Sequence, residues 1–167
     1  MLYTISTSLK GGCIMANTLA VAQYLNYLHK QKHTKDMDQM KMHKMMYFTQ
    51  RESLMLHRSP LFDGEFEAWR YGPVLTQVRS EYLTGNMFAG YYGELEEAEK
   101  QLVTSVFERY DNYSAWDLST LSHAEYSWQQ ARCGLAENEQ GHEKLRLSAM
   151  NVDATREFLR RKGVVFS

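Results

Sequence analysis

The chain has 167 residues, of which 44% are hydrophobic and 13% aromatic, and its formal net charge is -1. This length suits one domain with one core, and the apolar share excludes an intrinsically disordered chain. A net charge near zero gives no basic field over the whole surface, so general attraction to nucleic acid or anionic lipid is not expected.

The two cysteines, Cys13 and Cys133, are too few for a disulfide framework and lack a CxxC spacing. We therefore expect two free thiols and a reducing compartment. No apolar run reaches the ~18 residues needed to span a bilayer, and the N-terminal residues lack the pattern of a signal peptide. The sequence predicts a cytoplasmic protein with no membrane partner.

Residues 1–14 have no helical periodicity, and we interpret them as an extension that is either disordered or precedes a true start at Met15. Residues 15–167 are predicted to form one helical domain. A first helix follows Asn17, a residue type that caps helices, and its apolar positions recur at steps of three and four.

A second, long helix is expected after Asp36 or Asp38 and should run to about His57. It ends there because proline in Ser59-Pro60 disfavours helical backbone at the residue before it. Gly72-Pro73 is the next sharp break, and since proline suits the first helical position, Val74 to Tyr82 is predicted as a short third helix.

The second half of the chain carries further helix signals. Residues 84–93 contain three glycines and predict a mobile surface loop, and residues 94–110 predict a helix with acidic residues in its first turn. Ser114 can cap a short helix through Leu118. Residues 122–125 have the form of a capping box, which predicts another helix through Ala131.

The last helix is expected from about Val152 to Lys162, ended by Gly163, after an extended piece at residues 145–148. The whole pattern predicts a mainly α protein, a single compact domain of about six to seven helices. A short β-hairpin or extended segments also fit the pattern.

Candidate catalytic and metal-binding residues are few. His29 and His33 have the spacing that places two imidazoles on one helix face, but no HExxH glutamate accompanies them, so we interpret them as a surface pair. His123 and Glu125 match only half of the zinc-deaminase pattern. We expect His123 to hydrogen-bond inward and position a loop. No nucleophile elbow or phosphate-binding glycine loop is present, so the sequence predicts no enzyme, metal or cofactor.

The second helix is rich in basic residues and in methionine, and each feature has two interpretations. The basic residues suit either a DNA-reading helix or a solvated face, of which we favour the solvated face. The methionines suit either an adaptable partner-binding surface or a core stripe, of which we favour the core. Trp69, Trp116 and Trp128 are interpreted as core residues rather than a ligand cage.

Three stretches carry the most specific signals. The first is the helical segment Met40-Lys41-Met42-His43-Lys44-Met45-Met46-Tyr47-Phe48-Thr49-Gln50. The second is Phe66-Glu67-Ala68-Trp69-Arg70-Tyr71-Gly72-Pro73-Val74. The third is Leu121-Ser122-His123, followed by Trp128. In this order, over roughly Leu19 to Arg132, they resemble the Panacea family of SocA-like antitoxins, although methionine replaces leucine in the first stretch and serine replaces threonine in the third.

The resemblance implies an all-α module that binds and neutralises a toxin encoded by an adjacent gene, or that delivers the toxin to a protease. The domain also occurs in phage and prophage proteins. The alternative is a phage-associated regulator that binds DNA or another protein through the basic second helix. Self-association remains open. The partner-binding or motif residues that follow from the resemblance are Lys41, Lys44, Tyr47, Gln50, Trp69, Tyr71, Gly72, Pro73, His123 and Trp128.

Overall fold

The structure is a computed structural model and describes residues 14–165. This part of the chain forms seven helices and one hairpin. The helices are α1 Thr18–His33, α2 Gln39–His57, α3 Thr76–Leu83, α4 Glu97–Tyr110, α5 Ala115–His123, α6 Tyr126–Ala131 and α7 Leu147–Arg161. Strands β1 Glu67–Trp69 and β2 Gly72–Val74 pair antiparallel. The predicted mainly α fold is confirmed. The extension at residues 1–14 and Cys13 lie almost wholly outside the described residues.

Helix α2 lies at the centre of the fold. It packs against α1, α3, α4, α5, α7 and β2, and every residue from Lys41 to Leu54 is buried. A helix that is buried on all sides is normally apolar all round, but this one also brings lysine, tyrosine, glutamine and arginine side chains into the interior. The fold must therefore supply partners for these polar groups.

The beginnings of the first two helices agree with the capping signals in the sequence. The Asn17 side chain accepts hydrogen bonds from the backbone N–H groups of Leu19 and Ala20, and Asp38 accepts one from Lys41 N at 2.9 Å. Helix α2 ends as predicted at His57, where Arg58 takes a left-handed conformation. Helix α1 begins at Thr18, directly after Asn17, as predicted.

The third helix begins later in the chain than predicted. Pro73 lies in strand β2, opposite Ala68, and α3 begins only at Thr76. The Gly72 backbone has a φ of +106°, which closes a hairpin instead of opening a helix. Residues 84–93 have an irregular backbone, as predicted for a loop. They do not lie wholly on the surface, however, because Phe88 is buried.

Three boundaries in the second half also differ from the predictions. Helix α4 begins at Glu97, after a capping box formed by Glu96 and Glu99. Helix α5 does not end at Leu118 but continues to His123, so the predicted capping box at residues 122–125 is wrong. Helix α7 begins at Leu147, five residues earlier than predicted. The second half of the predicted extended piece, residues 147–148, is therefore helical.

The described helices include none that combines the length and the apolar character needed to cross a membrane.

The hairpin provides a first prediction. A Cβ atom at Gly72 would overlap Ser122 Oγ and lie 2.5 Å from Lys44 Cε, whereas a Cβ at Gly85, which also has positive φ, would meet nothing within 4 Å. We expect Gly72→Ala to lower the free energy of unfolding by at least about 3 kcal/mol, because steric overlap adds to backbone strain. The matched Gly85→Ala variant should lose only about 1 kcal/mol. Equal losses in urea denaturation would contradict this account of the hairpin.

Candidate functional site

The motif residues meet where α2 lies under the hairpin. The Lys44 side chain is 1% exposed, and its Nζ donates a hydrogen bond to the Pro73 carbonyl at 3.0 Å. Only glycine at position 72 leaves room for the lysine stem. The first and second stretches of the family resemblance are therefore one packing unit, in which the lysine fixes the Gly-Pro turn.

Burial changes the ionisation of the α2 side chains beneath the hairpin. It lowers the pKa of the Lys44 ammonium to about 7, because taking a charge out of water disfavours the charged form. Burial likewise lowers the pKa of His43 to about 3. The neutral His43 ring accepts a hydrogen bond from Leu75 N through Nδ1 at 3.3 Å, just before α3 begins.

One turn further along α2, Tyr47 joins three segments through its hydroxyl group. The Tyr47 oxygen lies 3.0 Å from Glu125 Oε2, 2.9 Å from Ser127 Oγ and 3.0 Å from Asp153 Oδ2. Burial, together with the two carboxylates, raises the pKa of Tyr47, so this hydroxyl keeps its proton. Asp153 also accepts from the backbone N–H groups of Tyr126 and Ser127 at 2.7 and 2.9 Å, and so caps α6 from α7.

Arg51 pairs with Glu125, one of the two carboxylates around Tyr47. Its Nη1 donates to Glu125 Oε1 at 2.6 Å and its Nη2 donates to the Tyr110 hydroxyl at 2.7 Å, while Glu157 lies 3.6 Å away. Burial raises the pKa of Glu125, and the neighbouring guanidinium opposes this shift. Charged groups this deep in a protein need paired partners, and this arrangement supplies them from α4, α6 and α7.

The other two motif residues of α2 hold separate segments. The Gln50 side chain accepts from Leu61 N at 2.8 Å and donates to the Phe62 carbonyl at 2.7 Å, which fixes the chain after α2. Lys41 donates to the Asp111 carbonyl at 2.6 Å, at the end of α4. The motif residues of α2 are thus not gathered in one site but distributed along the buried helix.

The third stretch packs on the other side of the hairpin. The His123 ring stacks on Trp128 with 4.2 Å between ring centroids, and Trp128 Nε1 donates to the Trp69 carbonyl at 2.8 Å. The buried His123 Nε2 atom has no hydrogen-bond partner among the described residues. His123 stacks on Trp128, and the predicted inward hydrogen bond does not form through the Nε2 atom.

Several surface interpretations from the sequence are wrong. Lys41, Lys44 and Arg51 are only 8%, 1% and 3% exposed, so α2 presents neither a solvated basic face nor a DNA-reading face, both of which need cations in solvent. The favoured core interpretation of the methionines holds for Met37, Met42, Met45 and Met46. Trp116 is not a core residue, since it is 60% exposed.

Two motif side chains reach the surface beside a cleft of about 250 Å³ between α2 and the hairpin. Tyr71 is 44% exposed and Trp69 is half-buried. Both line the cleft, together with Met40, His43 and Lys44. The walls are thus largely apolar and aromatic, with two glutamines, Gln39 and Gln140, and a single lysine that is buried. This composition is suited to holding an apolar or aromatic group.

The partners of the buried helix were not predicted from the sequence. Arg51, Glu125 and Asp153 complete the network around Tyr47, yet none of them is among the predicted motif residues. Arg51 directly follows Gln50, and Glu125 was noted only for other patterns, a capping box and half of a zinc-deaminase motif. His29, interpreted as half of a surface pair, is 5% exposed and lies near Asp111.

The network around Tyr47 leads to a second prediction. Tyr47→Phe removes the hydroxyl that Glu125 and Asp153 share and should lower the free energy of unfolding by about 2–3 kcal/mol, because buried charged acceptors lose a donor. Tyr27→Phe provides the matched control, since Tyr27 is 53% exposed and should change stability by less than about 0.5 kcal/mol. Thermal and urea denaturation measure both values. Equal stabilities would show that the Tyr47 hydroxyl is not required.

The lowered pKa of Lys44 leads to a third prediction. The unfolded amine keeps its proton up to about pH 10.5, whereas the folded amine loses its proton above about pH 7. Between these values the unfolded state binds more protons, so this group makes stability rise with pH, by up to about 1.4 kcal/mol per pH unit. Below pH 7 both states are protonated and the contribution is constant.

Lys44→Met removes this contribution and keeps most of the side-chain volume. Urea denaturation at pH 7, 8 and 9 should therefore show the wild type gaining about 1 kcal/mol per pH unit relative to the variant. Parallel pH dependence in the two proteins would show that Lys44 stays charged in the folded state.

Comparison with known proteins agrees with this arrangement of motifs. The family model described as antitoxin SocA-like, Panacea domain, matches residues 42–129, which is just over half of the 167-residue chain. Searches of curated proteins and of solved structures returned no match. The matched range begins inside α2 and ends inside α6, so it contains the hairpin and its supports, and the chain belongs to the family of SocA-like antitoxins with a Panacea domain.

Proposed function

We propose that this protein neutralises a cognate toxin by direct protein–protein contact. The observation that carries the proposal is family membership across the hairpin and its supporting helices. The chemistry of the motif residues agrees with a binding role, because Lys44, Tyr47, Gln50 and Arg51 are buried and hydrogen-bonded to the protein itself. These side chains build a scaffold, and we propose that the protein is not an enzyme.

The surface above this scaffold has the composition of a protein-binding site. Tyr71 at the hairpin turn and Trp116 on α5 contact each other edge to face, with 5.4 Å between ring centroids, and the Arg70 guanidinium lies 4.4 Å from the centre of the Tyr71 ring. We call these three residues the aromatic patch. Tryptophan, tyrosine and arginine are the residue types that contribute most binding energy at protein interfaces.

The scaffold explains why this patch is rigid enough to recognise a partner. Ser119 Oγ on α5 donates to the Tyr71 carbonyl at 2.7 Å, and Lys44 donates to the neighbouring Pro73 carbonyl. The backbone on both sides of Gly72 is therefore fixed to helices. A fixed aromatic side chain loses little conformational entropy on binding, which favours the patch as the toxin contact.

Co-expression with the adjacent gene tests the proposed function. We expect the neighbouring product to stop growth by itself, and this protein to restore growth and to co-purify with that product. Restored growth with loss of the toxin from the cells, and dependence on a host protease, would indicate delivery to the protease instead. A neighbouring product that is harmless, or that never forms a complex, would contradict the antitoxin proposal.

The aromatic patch provides a fourth prediction. Trp116→Ala and Tyr71→Ala should each weaken binding of the toxin by at least about thirtyfold, or roughly 2 kcal/mol, because central aromatic residues dominate interface energetics. Tyr91→Ala is the matched control, since Tyr91 is 84% exposed and lies in the loop after α3. Binding is measured by titration calorimetry, and circular dichroism confirms that each variant is folded. Full affinity in both patch variants would place the contact elsewhere.

A further inference from the structure

The end of α1 carries a cluster of potential metal ligands that the proposed function does not use. His29 and His33 lie one turn apart on α1, and Asp111 is the residue that ends α4. Each offers one ligand atom, and these atoms all lie within 4.8 Å of one another. The third ligand comes from a segment 78 residues away from His33, which explains why the histidine pair alone gave no metal signal.

The distances suit a small transition-metal ion. His33 Nε2 lies 2.8 Å from Asp111 Oδ2, and His29 Nδ1 lies 3.7 Å from Asp111 Oδ1. Ligand bonds of 2.0–2.2 Å in a tetrahedral zinc site put neighbouring ligand atoms about 3.3–3.5 Å apart. The observed separations fall on both sides of this value, so shifts of less than about 1 Å in the side chains would complete the geometry.

An independent observation shows that His29 is not satisfied by the protein. His29 is 5% exposed, and its buried Nδ1 atom, which faces Asp111, has no hydrogen-bond partner among the described residues. A buried polar atom without a partner costs about 1–3 kcal/mol.

The structure assigns His29, His33 and Asp111 as a binding site for one divalent transition-metal ion of the zinc class. Two imidazole nitrogens and one carboxylate oxygen provide three protein ligands. His33 is the most exposed of the three, with 33% of its side chain in solvent, so water can supply a fourth ligand from that side. Three ligands with one open position are typical of exchangeable or reactive zinc, and the ion would join the end of α1 to the end of α4.

Two lysines compete with the ion, and they make the proposal sharply testable. Lys32 Nζ lies 2.7 Å from Asp111 Oδ2, but its side chain is 50% exposed and can move into solvent. Lys41 Nζ lies 3.6 Å from Asp111 Oδ1 and remains held by the Asp111 carbonyl at 2.6 Å. Removing Lys32 should therefore strengthen metal binding, whereas a site that is only an ion-pair cluster gains no metal affinity from that change.

The test uses tag-free, chelator-treated protein titrated with Zn²⁺ and, separately, with Co²⁺. We expect one equivalent of Zn²⁺ to bind and to raise the melting temperature by about 5–10 °C at a hundredfold excess over Kd. Co²⁺ should give the intense visible absorption of a four-coordinate site. His33→Ala should lose both signals, and His57→Ala, which removes an exposed histidine from the end of α2, should keep them.

Lys32→Ala should bind Zn²⁺ at least tenfold more tightly than the wild type, and this variant does not alter any ligand. Circular dichroism checks that His33→Ala is folded. The proposal is overturned if the wild type takes up no more Zn²⁺ than His33→Ala, or if Lys32→Ala binds no better than the wild type.

Discussion

Helix α2 carries many polar side chains into the protein interior, among them Lys44, Tyr47, Gln50 and Arg51. Each of these four must find its hydrogen-bond partner within the protein. Lys44 reaches the hairpin, Gln50 reaches the chain that follows α2, and Tyr47 and Arg51 reach α4, α6 and α7. Together these partners come from five segments, namely the hairpin, the chain after α2, α4, α6 and α7, so moving any of these segments away from α2 would leave a buried polar group unpaired. Such a group costs about 1–3 kcal/mol.

The same constraint explains how an interior helix defines a surface. The hairpin packs closely on α2 because Gly72 leaves room for the Lys44 side chain and Lys44 donates to the Pro73 carbonyl. Ser119 fixes the Tyr71 carbonyl to α5. The side chain of Tyr71 then projects into solvent beside Trp116. The buried motif residues thus shape the scaffold, and they hold the exposed Tyr71 of the second stretch beside Trp116.

Local signals in the sequence predict the fold well where the chain ends or caps its own helices. Asn17 and Asp38 cap α1 and α2 as expected, because a cap depends on residues within one turn. Signals that depend on distant residues were misread. Ser122 and Glu125 have the sequence form of a capping box, but Ser122 donates to the Ser119 carbonyl inside α5, and Glu125 pairs with Arg51.

In the candidate site, too, features that depend on nearby residues were predicted, whereas features that depend on distant residues were not. Gly72-Pro73 and the stretch from Lys41 to Gln50 were recognised as important from the sequence. The burial of the methionines in this stretch was predicted, but that of Lys41 and Lys44 was not, since a helix with this many charged residues normally faces solvent. The roles of Asp153 and Asp111 depend on segments that meet only in the folded chain, and no spacing rule connects them to α2.

Native-state hydrogen exchange tests most directly whether the hairpin and the buried helix form one cooperative unit. If they do, backbone amides in the middle of α2 and in strands β1 and β2 should exchange with the same free energy, equal to that of global unfolding. Lys44→Met should then lower the protection of the hairpin amides more than that of the α2 amides. Hairpin amides that exchange through a low-energy local opening in the wild type, unaffected by loss of Lys44, would contradict a single cooperative unit.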